Sequence, residues 1–235
     1  MIPILQREIE KLKKHILELG AVVEERVRMA VKSIEESDAA IALEVIKGDI
    51  EIDHREVDLE EECLKILALH QPVAIDLRFI IAVLKINNDL ERLGDLAVNI
   101  ADRATCMDKR EKNEIIDDIT VMAEKAQTML KKSLDALVNL DADLAREVCA
   151  SDDEVDMIHA NLFPKFEKAV FRNPERLQYF SNLIGVSRNL ERIADHTTNI
   201  AEDVIYMSAG EIVRHRGEEY RTAEKKPPAC NKFNT

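Results

Sequence analysis

The sequence is poor in residues that break helices or crosslink small folds. Its 235 residues include six glycines, six prolines and no tryptophan, and aromatic residues make up 4%. The four cysteines, Cys63, Cys106, Cys149 and Cys230, lie far apart without a CxxC pair. This spacing excludes a cysteine zinc site and a secreted disulfide framework, and it suits a reducing cytoplasm. The sequence has no GxG, so a glycine-rich phosphate loop is excluded, and no Ser/His/Asp or Cys/His constellation can be placed.

Long uncharged runs and an excess of basic residues are also missing. The N-terminal segment acquires charges at Arg7 and Glu8, so no signal-peptide core forms, and no later run is long enough to span a bilayer. The chain has 46 Asp and Glu against 33 Lys and Arg, a formal charge of −13. Such a chain repels nucleic-acid phosphates and anionic membrane surfaces. We therefore expect a cytoplasmic protein whose partners are cations and basic protein surfaces.

Apolar spacing predicts an all-α protein. Apolar residues recur at intervals of three and four along most of the chain, whereas strict two-residue alternation is nowhere sustained. Six helices are predicted over residues 4–36, 39–69, 73–104, 114–139, 142–172 and 175–208. Pro72 and Pro174 are placed at the starts of the third and sixth helices, where a missing amide is harmless. Pro164 falls inside the fifth helix and predicts a kink or a break.

The pattern divides the chain into two halves and a tail. Segment 106–113, CMDKREKN, is charged and lacks periodicity, so it is predicted to link the halves. The predicted domains are a first three-helix bundle over 1–106 and a second over 113–216. Residues 217–235 have almost no apolar content and are predicted to be a polar, mobile tail.

The two halves repeat each other. Seven of the twelve residues in 90–101 are identical in 190–201: Leu90, Glu91, Arg92, Asp95, Asn99, Ile100 and Ala101 with their partners. An offset of 103 residues aligns Asp49, Glu51 and Asp53 with Asp152, Glu154 and Asp156. The repeat predicts a duplicated three-helix unit in which each half buries its own apolar face.

The repeated acids form stripes along the predicted helices. Residues four apart on a helix point in nearly the same direction, about 6 Å apart along the axis. The candidate metal ligands are four such pairs: Asp49 and Asp53, Glu91 and Asp95, Asp152 and Asp156, Glu191 and Asp195. Secondary ligands or supporting residues are Asn99, Asp102, Asn199, Glu202, Arg92 and Arg192. Carboxylate oxygens suit Mg²⁺, Ca²⁺, Mn²⁺ and iron, and several carboxylates can bridge more than one ion.

Less specific interpretations stay open beside the metal hypothesis. A single acid pair is usually a solvated helix face, and only the recurrence of all four pairs in both halves argues for more. Arg92 and Arg192 could neutralise the stripes without any metal. His54, His70, His159 and His196 have no histidine equivalents in the other half, so we interpret each as a surface or packing residue. The two patterns that place a histidine three residues after an acid do not align under the repeat.

Three blocks resemble the PhoU family of phosphate-signalling proteins. The blocks are HQPVAIDLRFI at 70–80, NDLERLGDLAVNIADRA at 88–104 and RNLERIADHTTNIAEDVIYM at 188–207. Pro72, Asp76, Leu77 and Arg78 add to the resemblance, which covers about residues 5–216. Segment 174–180, PERLQYF, lacks the DLR of the first half, so a partner contact by Arg78 is not duplicated.

The resemblance implies a fold, a function and partners. It implies two three-helix bundles related by pseudo-twofold symmetry, often as a homodimer. It also implies a cytoplasmic negative regulator that links the ATPase subunit of the phosphate ABC transporter to a phosphate-sensing histidine kinase. Family members hold metal ions at D/ExxxD motifs, in some cases as iron clusters, and this role falls on the four pairs above. Iron is then the expected metal, with manganese and magnesium as alternatives.

Three functional hypotheses follow. The first is a non-enzymatic regulator whose metal sites stabilise the halves or respond to metal and phosphate. The second is a di-metal carboxylate enzyme of oxidase or hydrolase type, which would need an open coordination position and usually histidine ligands. The third is a purely structural role, in which the arginines neutralise the acidic stripes.

Overall fold

The computed structural model describes residues 4–107 and 114–210, and these form six α-helices without a strand. The helices are α1 (Ile4–Glu36), α2 (Ala39–His70), α3 (Ala74–Thr105), α4 (Glu114–Asn139), α5 (Ala142–Arg172) and α6 (Leu177–Ala209). The all-α prediction is confirmed, and the predicted helix bounds agree within two residues. The predicted tail lies outside the described residues, and so does the linker beyond Met107.

Both bundles begin their second helix with the same cap. Asp38 accepts hydrogen bonds from the backbone amides two and three residues ahead, at 2.8 and 3.4 Å. Asp141, 103 residues later, makes the same two bonds at 3.0 Å each. The preceding residues, Ser37 and Leu140, both have left-handed backbone conformations, with φ of 53° and 51°. The duplication therefore extends to the backbone of the turn, and the caps satisfy amides that a helix end leaves free.

The prolines behave differently from the prediction. Pro72 lies in the turn before α3, which begins two residues later at Ala74. Pro174 begins a single 3₁₀ turn, Pro174–Arg176, that precedes α6. Pro164 does not break α5, which continues to Arg172. Its ring lies on the exposed side of the helix, so packing on the opposite face still holds the helix together.

The helices assemble as two tandem three-helix bundles, as predicted. Helices α1, α2 and α3 pack on one another, as do α4, α5 and α6. The bundles meet mainly through α3 and α6, with a smaller contact between α1 and α4. Their buried side chains join in one continuous apolar core. No described helix contains a segment long and apolar enough to cross a bilayer.

Helices α3 and α6 cross the seam in antiparallel directions around the pseudo-twofold axis. Lys85 on α3 contacts Asp203 on α6 at 3.4 Å. The symmetry-related positions are Arg103 and Gly185, where the guanidinium lies so close to the glycine that a β-carbon there would overlap it. Equivalent places in the seam therefore hold an ion pair on one side and an arginine packed on a glycine on the other.

Candidate functional site

The first carboxylate cluster lies between α2 and α3. It consists of Asp49, Asp53 and Glu56 on α2, and Glu91 and Asp95 on α3. Helix α2 directs Ile52 into the core, and the acids on the adjoining face then point toward α3. The two helices approach closely at Gly94, where a β-carbon would lie 3.0 Å from Cδ1 of Ile52 and 3.5 Å from Oδ1 of Asp49. A larger residue at this position would require the side chain of Ile52 to shift.

The carboxyl groups of the first cluster influence one another's ionisation. Burial raises the pKa of Asp49, and the charges of Asp53 and Asp95 raise it further. Burial and Asp95 likewise raise the pKa of Glu91, with smaller contributions of the same sign from Glu56 and Asp53. Charges on one helix thus act on acids of the other. The predicted stripes do face each other, and they repel at neutral pH.

Glu56 and Glu60 extend the first cluster along α2. The buried side chain of Asn87 on α3 donates to the backbone carbonyl of Glu56 at 2.9 Å and to its Oε1 atom at 3.3 Å. Burial, followed by the charges of Glu60 and Asp53, raises the pKa of Glu56. Asn87 therefore positions Glu56 beside the other acids.

Arg92 supplies part of the opposing charge. Its guanidinium lies 3.0 Å from Asp95 and 3.4 Å from Glu91, and its side chain is half exposed. The charge of Arg92 lowers the pKa of Glu91, but burial and Asp95 outweigh it, so the net direction is upward. Arginine neutralisation is present in the first cluster and is incomplete.

The second carboxylate cluster lies between α5 and α6 and consists of Asp156, Glu191 and Asp195. Burial raises the pKa of Glu191, and Asp195 and Asp156 raise it further. Burial and Asp156 also raise the pKa of Asp195, against smaller opposing effects of His196 and Arg192. Arg192 makes no hydrogen bond or ion pair with these acids in the described chain, unlike Arg92 in the first cluster.

Asp152, the remaining predicted ligand, is 7% exposed and lies with Glu202 near Cys149. Burial raises the pKa of Cys149 to about 12, and the charges of Glu202 and Asp152 add to the effect. Burial therefore favours the protonated thiol in the metal-free protein. Oxygen remains the dominant donor type here.

The residues predicted as secondary metal ligands lie in different environments. Asn199 donates to Asp89 on α3 at 3.3 Å, so its amide is engaged at the seam. His196 binds the same Oδ1 atom of Asp89 at 2.8 Å. Asn99 and Asp102 are exposed. Support of a metal site by these residues stays a prediction.

The carboxylate oxygens of the two clusters are the ligands that hard cations prefer, but their positions do not yet surround a common point in the described chain. Raised carboxyl pKa values mark oxygens whose charges lack full compensation, and a cation would supply it. Among the described residues, no three His, Cys, Asp or Glu side chains converge as a ready-made metal site. Cation binding would therefore require carboxylate side chains to rotate toward one another. The predicted ligands are brought near each other without forming a coordination shell.

The histidines near the clusters pack as predicted. His159 contacts Ser187 at 2.9 Å and meets the ring of Phe163 edge-on, with centroids 5.1 Å apart. His159 and Ser187 are the equivalents of Glu56 and Asn87 under the repeat offsets. A side-chain contact between the two helices is thus kept at the equivalent place, but it joins a histidine and a serine instead of a glutamate and an asparagine. Asn87 and Asp89 were missed as positioning residues, because neither is repeated at the equivalent positions, Ser187 and Asn189.

The chain matches known proteins along most of its length. The family model for the PhoU domain matches residues 16–104 and 119–204. A phosphate-specific transport system accessory protein PhoU homolog of Aquifex aeolicus is 38% identical over 212 residues, covering 90% of this chain and 96% of the relative. Its Pseudomonas aeruginosa counterpart is 37% identical over 211 residues, covering 89% and 87%.

Solved structures share the fold. The crystal structure of PhoU from Pseudomonas aeruginosa matches with a TM-score of 0.85 at 36% identity, covering 88% of this chain and 99% of that one. The phosphate transport system regulatory protein PhoU from Streptococcus pneumoniae matches with a TM-score of 0.82 at 27% identity, covering 89% and 99%. The tandem bundle arrangement is therefore common to these proteins.

Proposed function

Because this chain belongs to the PhoU family, we propose that it is a metal-binding, non-enzymatic regulator of phosphate uptake. In this role it represses the phosphate-starvation response when phosphate is ample. Its partners are the ATPase subunit of the phosphate ABC transporter and a phosphate-sensing histidine kinase. Its relatives' designation as phosphate-transport accessory proteins supports the transport role. The cytoplasmic location and the homodimer belong to the same proposal.

The observation that carries the metal part is the approach of acids on facing helices, where burial and then neighbouring carboxylates raise the pKa of Asp49, Glu91 and Glu191. Asp49, Asp53, Glu91 and Asp95 would hold cations in the first half. Asp152, Asp156, Glu191 and Asp195 would do so in the second. A bound iron, manganese or magnesium ion would neutralise the acids and offer further positions to phosphate oxygens. The residues themselves supply oxygen donors, and Arg92 partly fixes the orientation of Asp95.

Isothermal titration with Fe²⁺, Mn²⁺ and Mg²⁺ tests the metal part. The variant Glu91→Gln/Asp95→Asn should lose the binding that belongs to the first cluster and retain that of the second. Asp143→Asn/Glu147→Gln is the matched control, because it removes two exposed acids of α5 that pair with Arg146 and Lys132. Unchanged binding after loss of Glu91 and Asp95 would reject the metal proposal.

Binding assays with purified components test the partner part. The chain should retain the transporter ATPase and the kinase in separate pull-downs, and sedimentation should show a dimer. Failure to retain either partner at micromolar concentrations would remove that partner from the proposal. Titration of metal into the same assays would separate a regulatory metal from a structural one.

The enzyme hypothesis has less support. Di-metal carboxylate bundles use histidine ligands beside their acids. Here His159 contacts Ser187, and His196 contacts Asp89 at the seam. Rapid oxygen consumption by ferrous-loaded protein would favour the enzyme, and inert iron would favour the regulator.

A further inference from the structure

Helix α2 carries a straight line of exposed apolar side chains. Leu43, Ile50, Val57 and Leu64 are 48%, 61%, 50% and 53% exposed. They follow one another at seven-residue intervals, and we call them the α2 ridge. Single exposed apolar residues are normal on protein surfaces, but a regular row of four is a continuous apolar feature.

The bundle itself does not require the α2 ridge. The equivalent positions of α5, 103 residues later, hold Arg146, Asp153, Ala160 and Glu167. Helix α5 packs in its own bundle as α2 does in the first. An outward face of charged and small residues is therefore compatible with the same backbone. The packing of the three-helix core therefore does not account for the apolar side chains of the α2 ridge.

The spacing of the ridge suits another helix. A seven-residue step advances two turns with a drift of only about 20°, so the four side chains form a nearly straight row about 32 Å long. A helix with apolar residues at the same period can pack along such a row over several turns. The α2 face toward the core, with Ile52, Leu59 and Cys63 buried, is separate from it.

The charges beside the ridge define the chemistry of that helix. Asp53 and Glu60 lie between the ridge and α3, with Glu56 behind them, and Glu61 lies on the other side. Lys47 and Lys65 are the lysines of α2 beside the ridge, and the acids outnumber them. Self-association would set a mainly acidic surface against itself, and an anionic bilayer would be repelled. Basic flanking residues on the incoming helix complement this surface.

We propose that the α2 ridge docks an amphipathic helix of a partner protein, with apolar residues at seven-residue intervals and lysine or arginine on its flanks. This docking surface depends on neither metal nor phosphate, so the proposal goes beyond the regulatory role described above. Apolar burial along the ridge provides affinity, and the acids provide selection for basic flanks. Such an interaction weakens with salt, because the flanking charges are exposed.

Fluorescence anisotropy with two synthetic 28-residue helices tests the proposal. Both helices carry the same leucine heptad seam, one with lysine flanks and one with glutamate flanks. The lysine helix should bind the full chain, and Ile50→Ser/Val57→Ser should weaken binding at least about tenfold. Asp153→Ser/Ala160→Ser on α5 is the matched control and should bind like the unaltered chain. Both variants change exposed positions, so circular dichroism should show nearly unchanged melting temperatures.

Several results would overturn the inference. Equal binding of the lysine helix to the ridge variant and to the unaltered chain would exclude the ridge as the docking surface. Equal binding of the glutamate helix would exclude selection by the acids. Loss of a dimer on Ile50→Ser/Val57→Ser, measured by sedimentation, would assign the ridge to a second copy. Ridge-dependent binding to phosphatidylserine vesicles would assign it to a membrane surface.

Discussion

Helices α2 and α5 occupy equivalent places in the two bundles, yet their outward faces carry different chemistry. Along α2 the cluster face holds Asp49, Asp53, Glu56 and Glu60. Along α5 the last two positions of that series are His159 and Phe163, which pack on each other. The halves share the first acid pair and diverge beyond it. The comparison teaches that the repeated backbone fixes where side chains point, while each half has its own surface chemistry.

Exposed apolar side chains show the same divergence. On α2 the large exposed apolar side chains include those of the ridge, whereas α5 exposes Met157, Phe163 and Phe171. Where α5 has Phe163, Pro164 and Phe171, α2 has Glu60, Glu61 and Ala68. Neither apolar surface is required by the duplicated core. The two halves are therefore alike inside and distinct outside.

Equivalent core truncations give the largest expected effects. Leu90 and Leu190 are both completely buried at matching positions of α3 and α6. Leu90→Ala and Leu190→Ala should each lower the free energy of unfolding by about 3 kcal/mol, from lost apolar burial and the cavity left behind. Chemical denaturation measures both. A difference between the two above about 2 kcal/mol would show that the cores are not equivalent.

Substitutions at the two equivalent seam contacts should lower the stability of the protein by different amounts. Lys85→Ala removes a partner of the buried Asp203 and should lower the free energy of unfolding by about 2 kcal/mol. Arg103→Ala removes a side chain packed on Gly185 and should cost about 1 kcal/mol. Thermal denaturation of both variants compares the effects. Equal losses would mean that the ion pair adds nothing beyond packing.

The two caps should behave alike. Asp38→Ala and Asp141→Ala each remove two hydrogen bonds to helix amides, and each should destabilise the protein by about 1 kcal/mol. Asp38→Asn and Asp141→Asn keep a side-chain oxygen that can accept these hydrogen bonds, so they should retain most of the stability that the alanine variants lose. Denaturant titration of the four variants measures this. If either alanine variant is as stable as the unaltered chain, other contacts already stabilise that turn.

The cluster charges give the smallest expected effects. The folded-state pKa of Glu91 is raised, so the folded protein holds that proton more tightly than the unfolded chain does. Ionised Glu91 therefore destabilises metal-free protein at neutral pH, and this penalty disappears as pH falls through the carboxyl range. Glu91→Gln and Glu191→Gln should each stabilise metal-free protein by a few tenths of a kcal/mol at pH 7. Their advantage over the unaltered chain should vanish near pH 4, as measured by denaturant midpoints across pH.

Much of the fold follows from local patterns. Asp38 and Asp141 mark helix starts by capping chemistry, and apolar spacing marks the helical faces. The turn around Pro72 and the 3₁₀ turn at Pro174 were placed only approximately, because proline limits helix starts without fixing their first residue. The intact α5 at Pro164 depends on tertiary packing, which no local pattern contains.

Part of the candidate site could also be predicted from the sequence. Helical periodicity places Asp49 and Asp53 on one face, and the repeat pairs them with Asp152 and Asp156. Periodicity could not predict that Asp152 is buried, or that Asn199 donates to Asp89, since both depend on how neighbouring helices pack. Whether the acids bind metal stays a prediction.

The α3–α6 seam has a consequence for the independence of the two bundles. Each of these helices is buried by its own bundle on one side and by the other bundle across the seam. A single bundle cut from the chain would expose the apolar seam face of α3 or α6 to water. Neither half is therefore a self-sufficient unit, and contacts such as Lys85–Asp203 and Arg103–Gly185 belong to the pair of bundles rather than to either one.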